Sequence, residues 1–291
     1  MDTPGSTIFA RSKRQAMDWS LVLASQDIPT TILGPDTTNQ WGLLVSPEDY
    51  ERALSAIRQF RHENQGWSWR RDVPWPKTGF HSGSVVWCIF LAAVFAFASL
   101  KRPVLFAEGR MDSLAVFRGE WWRLFTAVTL HADLAHLMGN LTFGVLFLGL
   151  AMARYGPGNA LLAGLLSGAA GNLAGLFFYS HPYFGVGASG MMMGAVGLLG
   201  VHAVSVWRIY PKAAKYMLSG IITAALVFIL FGTNPSSDVI AHFGGFVAGT
   251  LLGIPLALEP ENRILSKGAN LFSVLIVVAI LGIGWFQAAV R

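Results

Sequence analysis

From Val85 onward the chain carries roughly seven apolar segments, near residues 85–100, 134–153, 159–179, 188–206, 216–232, 239–257 and 270–288. Each is long enough, or nearly so, to cross a hydrocarbon core about 30 Å thick. Backbone polar groups in lipid must satisfy one another, so such a pattern specifies a bundle of membrane helices. Composition agrees: 53% of residues are hydrophobic and 13% charged, against roughly 25% charged in soluble domains. The isoelectric point near 9.6 does not point to nucleic acid, because the basic residues are scattered over membrane-flanking loops with no aromatic-interleaved basic face. The single cysteine, Cys88, lies in an apolar run and carries no disulfide, redox or zinc signal.

The first eighty residues differ from the rest. They hold nine of the 21 Lys and Arg and nine of the 16 Asp and Glu, with no run able to span a bilayer and no signal-peptide pattern. "SPEDYERALSAIRQF" opens with Ser46 as N-cap and Pro47 at the first helical position, and Ala53, Ile57 and Phe60 then share a face. Ahead of it, "RQAMDWSLVLAS" reads as a helix, and "TTILG" and "WGLLVS" read as strands split by the turn cluster at 35–39. The expected organisation is a small α/β domain over 1–70, a linker over 71–84 and an all-α membrane domain over 85–291. With the N-terminal domain in the cytoplasm, Arg70, Arg71, Lys77, Arg154, Arg208, Lys212, Lys215, Arg263 and Lys267 share its side, against Lys101, Arg102, Arg110, Arg118, Arg123 and Arg291 opposite. The positive-inside rule favours this orientation. Trp121 and Trp122 are expected to anchor the long loop between the first two spans at the membrane interface.

Polar groups inside spans are expensive and therefore informative. Three clusters occur. In "LHADLAHLMGN", His136 and Asn140 are four residues apart on one helix face, with Asp133 as N-cap. In "GVGASGMMMGAVG", Ser189 opens the fourth span, flanked by the small packing positions Gly187 and Gly190. In "SSDVIAHFGGFVAG", His242 lies about a turn inside the sixth span, above the stripe Gly245, Gly249 and Gly253. That stripe lets two membrane helices approach closely. A serine hydroxyl is barely nucleophilic until a base takes its proton, and histidine suits that task near neutral pH. If the fourth and sixth spans meet through their glycines, Ser189 reaches His242, while His136, Asn140 and backbone N–H groups near Ser189 supply donors for an oxyanion. Taken singly, a Ser-Gly at a helix end is a cap or packing site and a membrane histidine a hydrogen-bonded core residue; it is their combination that points to acyl transfer. Asp238 reads as a helix cap rather than a partner of His242. His131 fits either loop structure or a water path, and His62, His81, His181 and His202 have no convergent partner.

From about Glu120 to Gly253 the sequence resembles the rhomboid family of intramembrane serine proteases: "EWWRLFTAVTLH", "HLMGN", "GNLAG", "GASG" and "AHFGGFVAG" occur in the family's order. The resemblance implies a six-helix core with a seventh C-terminal span (the 6+1 subtype), Ser189 as nucleophile, and His242 as base in a dyad without aspartate. It implies an oxyanion hole of His136, Asn140 and the Ser189 backbone N–H, a membrane-embedded first loop marked by Trp122 and Arg123, and no cofactor or metal. Substrates would be single-pass transmembrane proteins with small residues at the scissile bond and helix-weakening residues below it. Two departures stand out: Met193 occupies a position where many relatives carry an aromatic against the histidine, and "LAMARYG" lacks a glutamate many relatives have there. A metalloprotease would need H-E-x-x-H and an aspartyl protease two facing intramembrane aspartates, and neither occurs. A transporter would favour an internal repeat, and none is visible. The alternative from another class is a catalytically silent rhomboid-like protein that binds membrane helices for trafficking or quality control; the presence of both Ser189 and His242 favours the enzyme. The expected location is a bacterial inner membrane, with an organelle as the other option.

Overall fold

The computed structural model describes residues 6–35, 40–64, 79–99, 103–180, 182–210, 213–227 and 238–290. The chain divides into two compact units, Met1–Arg70 and Arg71–Arg291; most of the expected linker over 71–84 lies outside the described residues.

The N-terminal unit runs β1 (Ser6–Ala10), α1 (Lys13–Ala24), β2 (Thr30–Leu33), β3 (Trp41–Val45) and α2 (Tyr50–Glu63). Its sheet has the order β1-β3-β2 with antiparallel neighbours. Alternation along the strands turns Ile8, Ala10, Leu43 and Val45 inward, where they meet Trp19 and Leu23 of α1 and Ala53 and Ile57 of α2. The Ser46 hydroxyl accepts from the Asp49 N–H at 3.2 Å, capping a short 3-10 turn that leads into α2. The two helices and two of the strands are where the sequence pattern puts them. β1 is new: "STIFA" has too few alternating positions to declare itself, and becomes a strand by pairing with β3.

In the second unit α3 (Gly83–Val94) continues through a π-helical turn over Phe95–Ser99. The following segment is built, not irregular. It forms α4 (Pro103–Gly109), β4 (Met111–Asp112), α5 (Ser113–Phe117) and α6 (Arg123–Thr129). Next come α7 (Leu134–Phe143) and α8 (Gly149–Tyr155), joined by a π-helical turn over Gly144–Leu148, then α9 (Pro157–Phe178), β5 (Phe184–Gly185) and α10 (Ser189–Ile209). The chain ends with α11 (Ala214–Val227), α12 (Val239–Leu258), α13 (Glu261–Ile264) and α14 (Lys267–Ala289). Among the described residues five helical stretches are long and apolar enough to span a membrane: Leu134–Tyr155, Pro157–Phe178, Ser189–Arg208, Val239–Leu258 and Lys267–Ala289. Counting the bent pair Gly83–Ala98 and Pro103–Gly109 as one makes six. The expected span near 216–232 is helical over Ala214–Val227, and its remainder lies outside the described residues.

The core is held by glycine. A Cβ on Gly245 would overlap the Gly190 carbonyl oxygen, one on Gly249 would lie 2.5 Å from Gly194 Cα, and one on Gly253 would lie 3.2 Å from Val201 Cβ. α10 and α12 therefore touch backbone to backbone, which maximises dispersion contact where no hydrophobic drive exists between helices. Between α8 and α9 the turn "YGPG" holds Gly156 at φ +84°, a conformation open to glycine, and Pro157 then starts α9.

One expectation for the first loop is corrected. Trp121 is exposed at 42%, but Trp122 is only 8% exposed and lies against Gly284 of α14, because successive residues entering a helix point about 100° apart. Arg123, counted by sequence among the charges opposite the N-terminal side, is a buried and paired charge. Its Nε donates to Glu120 Oε2 at 2.6 Å, its Nη2 to Glu108 Oε2 at 2.7 Å, and its Nη1 to the Ala107 and Arg110 carbonyls at 2.8 and 3.0 Å. Both Arg123 and Glu120 are buried. Removing one member of such a pair strands a charge, at a typical cost of about 3–5 kcal/mol. Arg123→Ala is therefore expected to lower the melting temperature in detergent sharply, and Glu120→Leu with Arg123→Met to recover much of the loss. Wild-type melting in the single variant would show that the pair does not brace the loop.

Candidate active site

Three helices, α7, α10 and α12, converge on one cavity of about 660 Å3, lined among others by His136, Asn140, Ser189 and His242. Local rules place each. The Asp133 carboxylate caps α7, accepting the His136 N–H at 2.8 Å, so His136 and Asn140 stand one turn apart inside the span. Asn140 donates one amide hydrogen to the His136 carbonyl at 3.1 Å and has a second to offer. Ser189 is the first residue of α10, where the opening N–H groups have no intrahelical acceptor and the helix dipole is positive. Asp238 caps α12 by accepting the Ala241 N–H at 2.9 Å, and its own carbonyl accepts from the His242 N–H at 2.9 Å. His242 and Asn140 are buried, and Ser189 and His136 half-buried.

Glycine sets the spacing here too. Gly187, at φ +125°, lies so close to α7 that a Cβ would meet the His136 ring at 2.7 Å. Its N–H donates to the Ala127 carbonyl at 3.0 Å, tying the approach to Ser189 onto α6. A Cβ on Gly190 would lie 3.4 Å from the Ala241 carbonyl oxygen, so the turn carrying Ser189 abuts the turn carrying His242. The arrangement gathers a hydroxyl, two imidazoles and a carboxamide around one space at the start of three helices. Met192 and Met193 line the same cavity.

Several contributors escaped sequence reading. The Tyr183 hydroxyl donates to Asp238 Oδ2, and the Tyr179 hydroxyl accepts from the Ile240 N–H at 3.3 Å, so the loop before Ser189 is latched to the start of the helix bearing His242. Burial, with the Asp238 carboxylate beside it, holds the Tyr183 phenol well above the usual tyrosine range, which keeps it a donor. "YSHPY" has no periodicity that would single out either tyrosine. β4 pairs with β5, and Arg110 at the cavity wall lies 4.3 Å over the Phe184 ring; its charge read as topological in sequence. His131 is buried edge-on to the His136 ring, with centroids 5.3 Å apart, and burial followed by His136 pushes its pKa down to about 3. It is a neutral packing partner of the loop. His202 packs on Tyr155, His81 Nδ1 accepts from the Gly83 N–H at 3.0 Å, and His181 lies outside the described residues. Among the described residues no group of three or more His, Cys, Asp or Glu is placed to hold a metal.

Comparison with known proteins addresses the same region. Residues 118–259 match the family model described as Rhomboid domain. The chain is 33% identical over 171 residues to Rhomboid protease GluP of Bacillus subtilis (strain 168), covering 58% of this chain and 33% of that protein. It is 31% identical over 186 residues to RHOMBOID-like protein 1 of Arabidopsis thaliana, covering 60% and 47%, and 33% identical over 156 residues to RHOMBOID-like protein 6, mitochondrial, of the same plant, covering 53% and 50%. The chain thus spans between a third and a half of the length of these relatives. The four polar residues gathered at the cavity, Ser189, His242, His136 and Asn140, thus all lie within the stretch of the chain, residues 118–259, that matches the Rhomboid domain.

Proposed function

We propose that this protein is an intramembrane serine endopeptidase of the 6+1 subtype that hydrolyses peptide bonds in or near transmembrane helices of single-pass proteins. The observation that carries the reading is the convergence of Ser189, His242, His136 and Asn140 from three helices on one cavity. In this mechanism His242 takes the Ser189 proton as the hydroxyl oxygen attacks the scissile carbonyl, and returns it to the leaving amine. His136, Asn140 and the Ser189 N–H stabilise the oxyanion, aided by the positive end of α10. Water then cleaves the acyl-enzyme by the same proton relay. The family resemblance and the word "protease" in the name of one relative support the reading.

The charge pattern supports an orientation. Ser189 and Val239 begin their spans on one side, while Arg154, Arg208 and Lys267 lie at the opposite ends. The cavity then opens toward the outer face of a bacterial inner membrane, with the α/β domain of residues 1–70 and the linker over 71–84 in the cytoplasm.

A serine-directed probe tests the assignment. In liposomes, a fluorophosphonate should modify Ser189 of the wild-type protein and not label His242→Ala, and only the labelling-competent form should cut a helix-weakened transmembrane substrate. A folded wild-type protein that neither labels nor cleaves would overturn the protease reading, and retained helix binding would then identify a silent binder.

A further inference from the structure

We propose that the C-terminal helix α14, which lies beyond the matched Rhomboid domain, is a positioning element of the Ser189 site and acts through Trp285. The proposal rests on the protease reading above.

α14 is tied down at both ends. Near its start, Asn270 Oδ1 accepts from the Gly158 and Asn159 N–H groups at 2.9 and 3.3 Å. The same side chain donates to the Ile264 and Ser266 carbonyls at 2.9 and 3.0 Å. One amide thereby caps α9 with a residue from α14. Ser273 adds a bond to Asn159 Oδ1 at 2.6 Å. This anchors α14 at the end of the bundle remote from Ser189.

The other end reaches the back wall of the site. Trp285 Nε1 donates to Thr129 Oγ1 at 3.3 Å, and its ring lies so close to Gly109 that a Cβ there would be 2.8 Å from Cη2. Thr129 in turn donates to the Thr126 carbonyl at 2.8 Å, and Thr126 to the Gly109 carbonyl at 2.6 Å. Both anchor points lead to the site: Gly109 is followed at once by Arg110, which lines the cavity, and two residues after Thr129 comes His131, which does not line the cavity but whose ring packs on that of His136, which does. Trp285 does not line the cavity itself. Its indole N–H fixes Thr129, Thr129 fixes the residues leading to His131, and His131 holds the ring of His136 in its place at the oxyanion. A shift of this chain would misalign a transition-state donor without removing a reacting group, so the loss should fall on kcat, not KM.

The test uses the full chain in liposomes, with kcat expressed per Ser189 titrated by fluorophosphonate. Trp285→Phe keeps an aromatic ring against Gly109 and removes the N–H; Thr129→Val removes its acceptor. Trp285→Phe is expected to lower kcat per titrated serine about 2- to 10-fold, the equivalent of one hydrogen bond, with KM little changed. Trp285→Phe combined with Thr129→Val should be no worse than Thr129→Val alone, because both act through the same bond. If the wild type cleaves but the Trp285 variants change only the melting temperature or the titratable fraction, α14 is merely structural and the inference fails alone. Additive losses in the double variant would overturn it likewise. A wild type that neither labels nor cleaves sinks this inference together with the protease reading.

Discussion

Ser189→Ala should leave a folded protein with no detectable cleavage, while Asn140→Ala should retain weak but measurable turnover. Among the described residues lining the cavity, Ser189 supplies the only hydroxyl, so under the proposed mechanism its loss leaves nothing to form the acyl intermediate. Asn140 has a different part. It stands one turn from His136 on α7, and under the proposed mechanism both point donors at the same developing charge. Loss of one oxyanion donor typically costs about 100- to 1000-fold in turnover, and a second donor sharing the load softens that loss. Both variants should melt like the wild type in detergent, since neither change opens a large cavity. Quantifying cleavage of a transmembrane model substrate in liposomes separates the two. Equal and complete loss, with normal melting, would contradict the division of roles.

Gly249→Val should cost both stability and activity. The added side chain would meet the Gly194 carbonyl and Cα of α10, and backbone cannot rotate out of the way as a flexible side chain can. The helices must part, at a cost of about 1–3 kcal/mol or more for overpacking, and the separation passes along α10 and α12 to Ser189 and His242. Gly200, on the same α10, has nothing within 4 Å of a built Cβ. Gly200→Ala should therefore match or slightly exceed wild-type stability, because alanine is the better helix former by about 1 kcal/mol. Melting curves and cleavage rates on the two variants check this directly. A Gly249→Val protein with unchanged melting and turnover would show that α10 and α12 have slack at this crossing.

Much of this protein was readable before any tertiary contact was known. Long apolar runs marked the spans because lipid admits few other backbones, and short-range chemistry marked their starts: Asp133, Asp238 and Ser46 each cap a helix or turn through a neighbour three residues on. The family motifs singled out Ser189, His242, His136 and Asn140 as residues, since polar groups are rare enough in a span to stand out.

What the sequence by itself determined, then, was the long spans, several of their caps, the glycine stripe and the identity of the polar residues, all features set by neighbours a few residues away. Only the tertiary structure decided what depends on residues distant in the chain. It put the four polar side chains around one cavity, turned Trp122 and Arg123 inward, paired "STIFA" with β3, latched Tyr183 to Asp238 and set Trp285 against Thr129. The physical reason is one of range. A cap or a helical face is an interaction between residues three or four apart, whose energy the local sequence contains, whereas Tyr183 and Asp238 are 55 residues apart and Trp285 and Thr129 are 156 apart. Nothing near any of these residues in sequence specifies its partner until the close approach of the glycine-lined helices brings the two together.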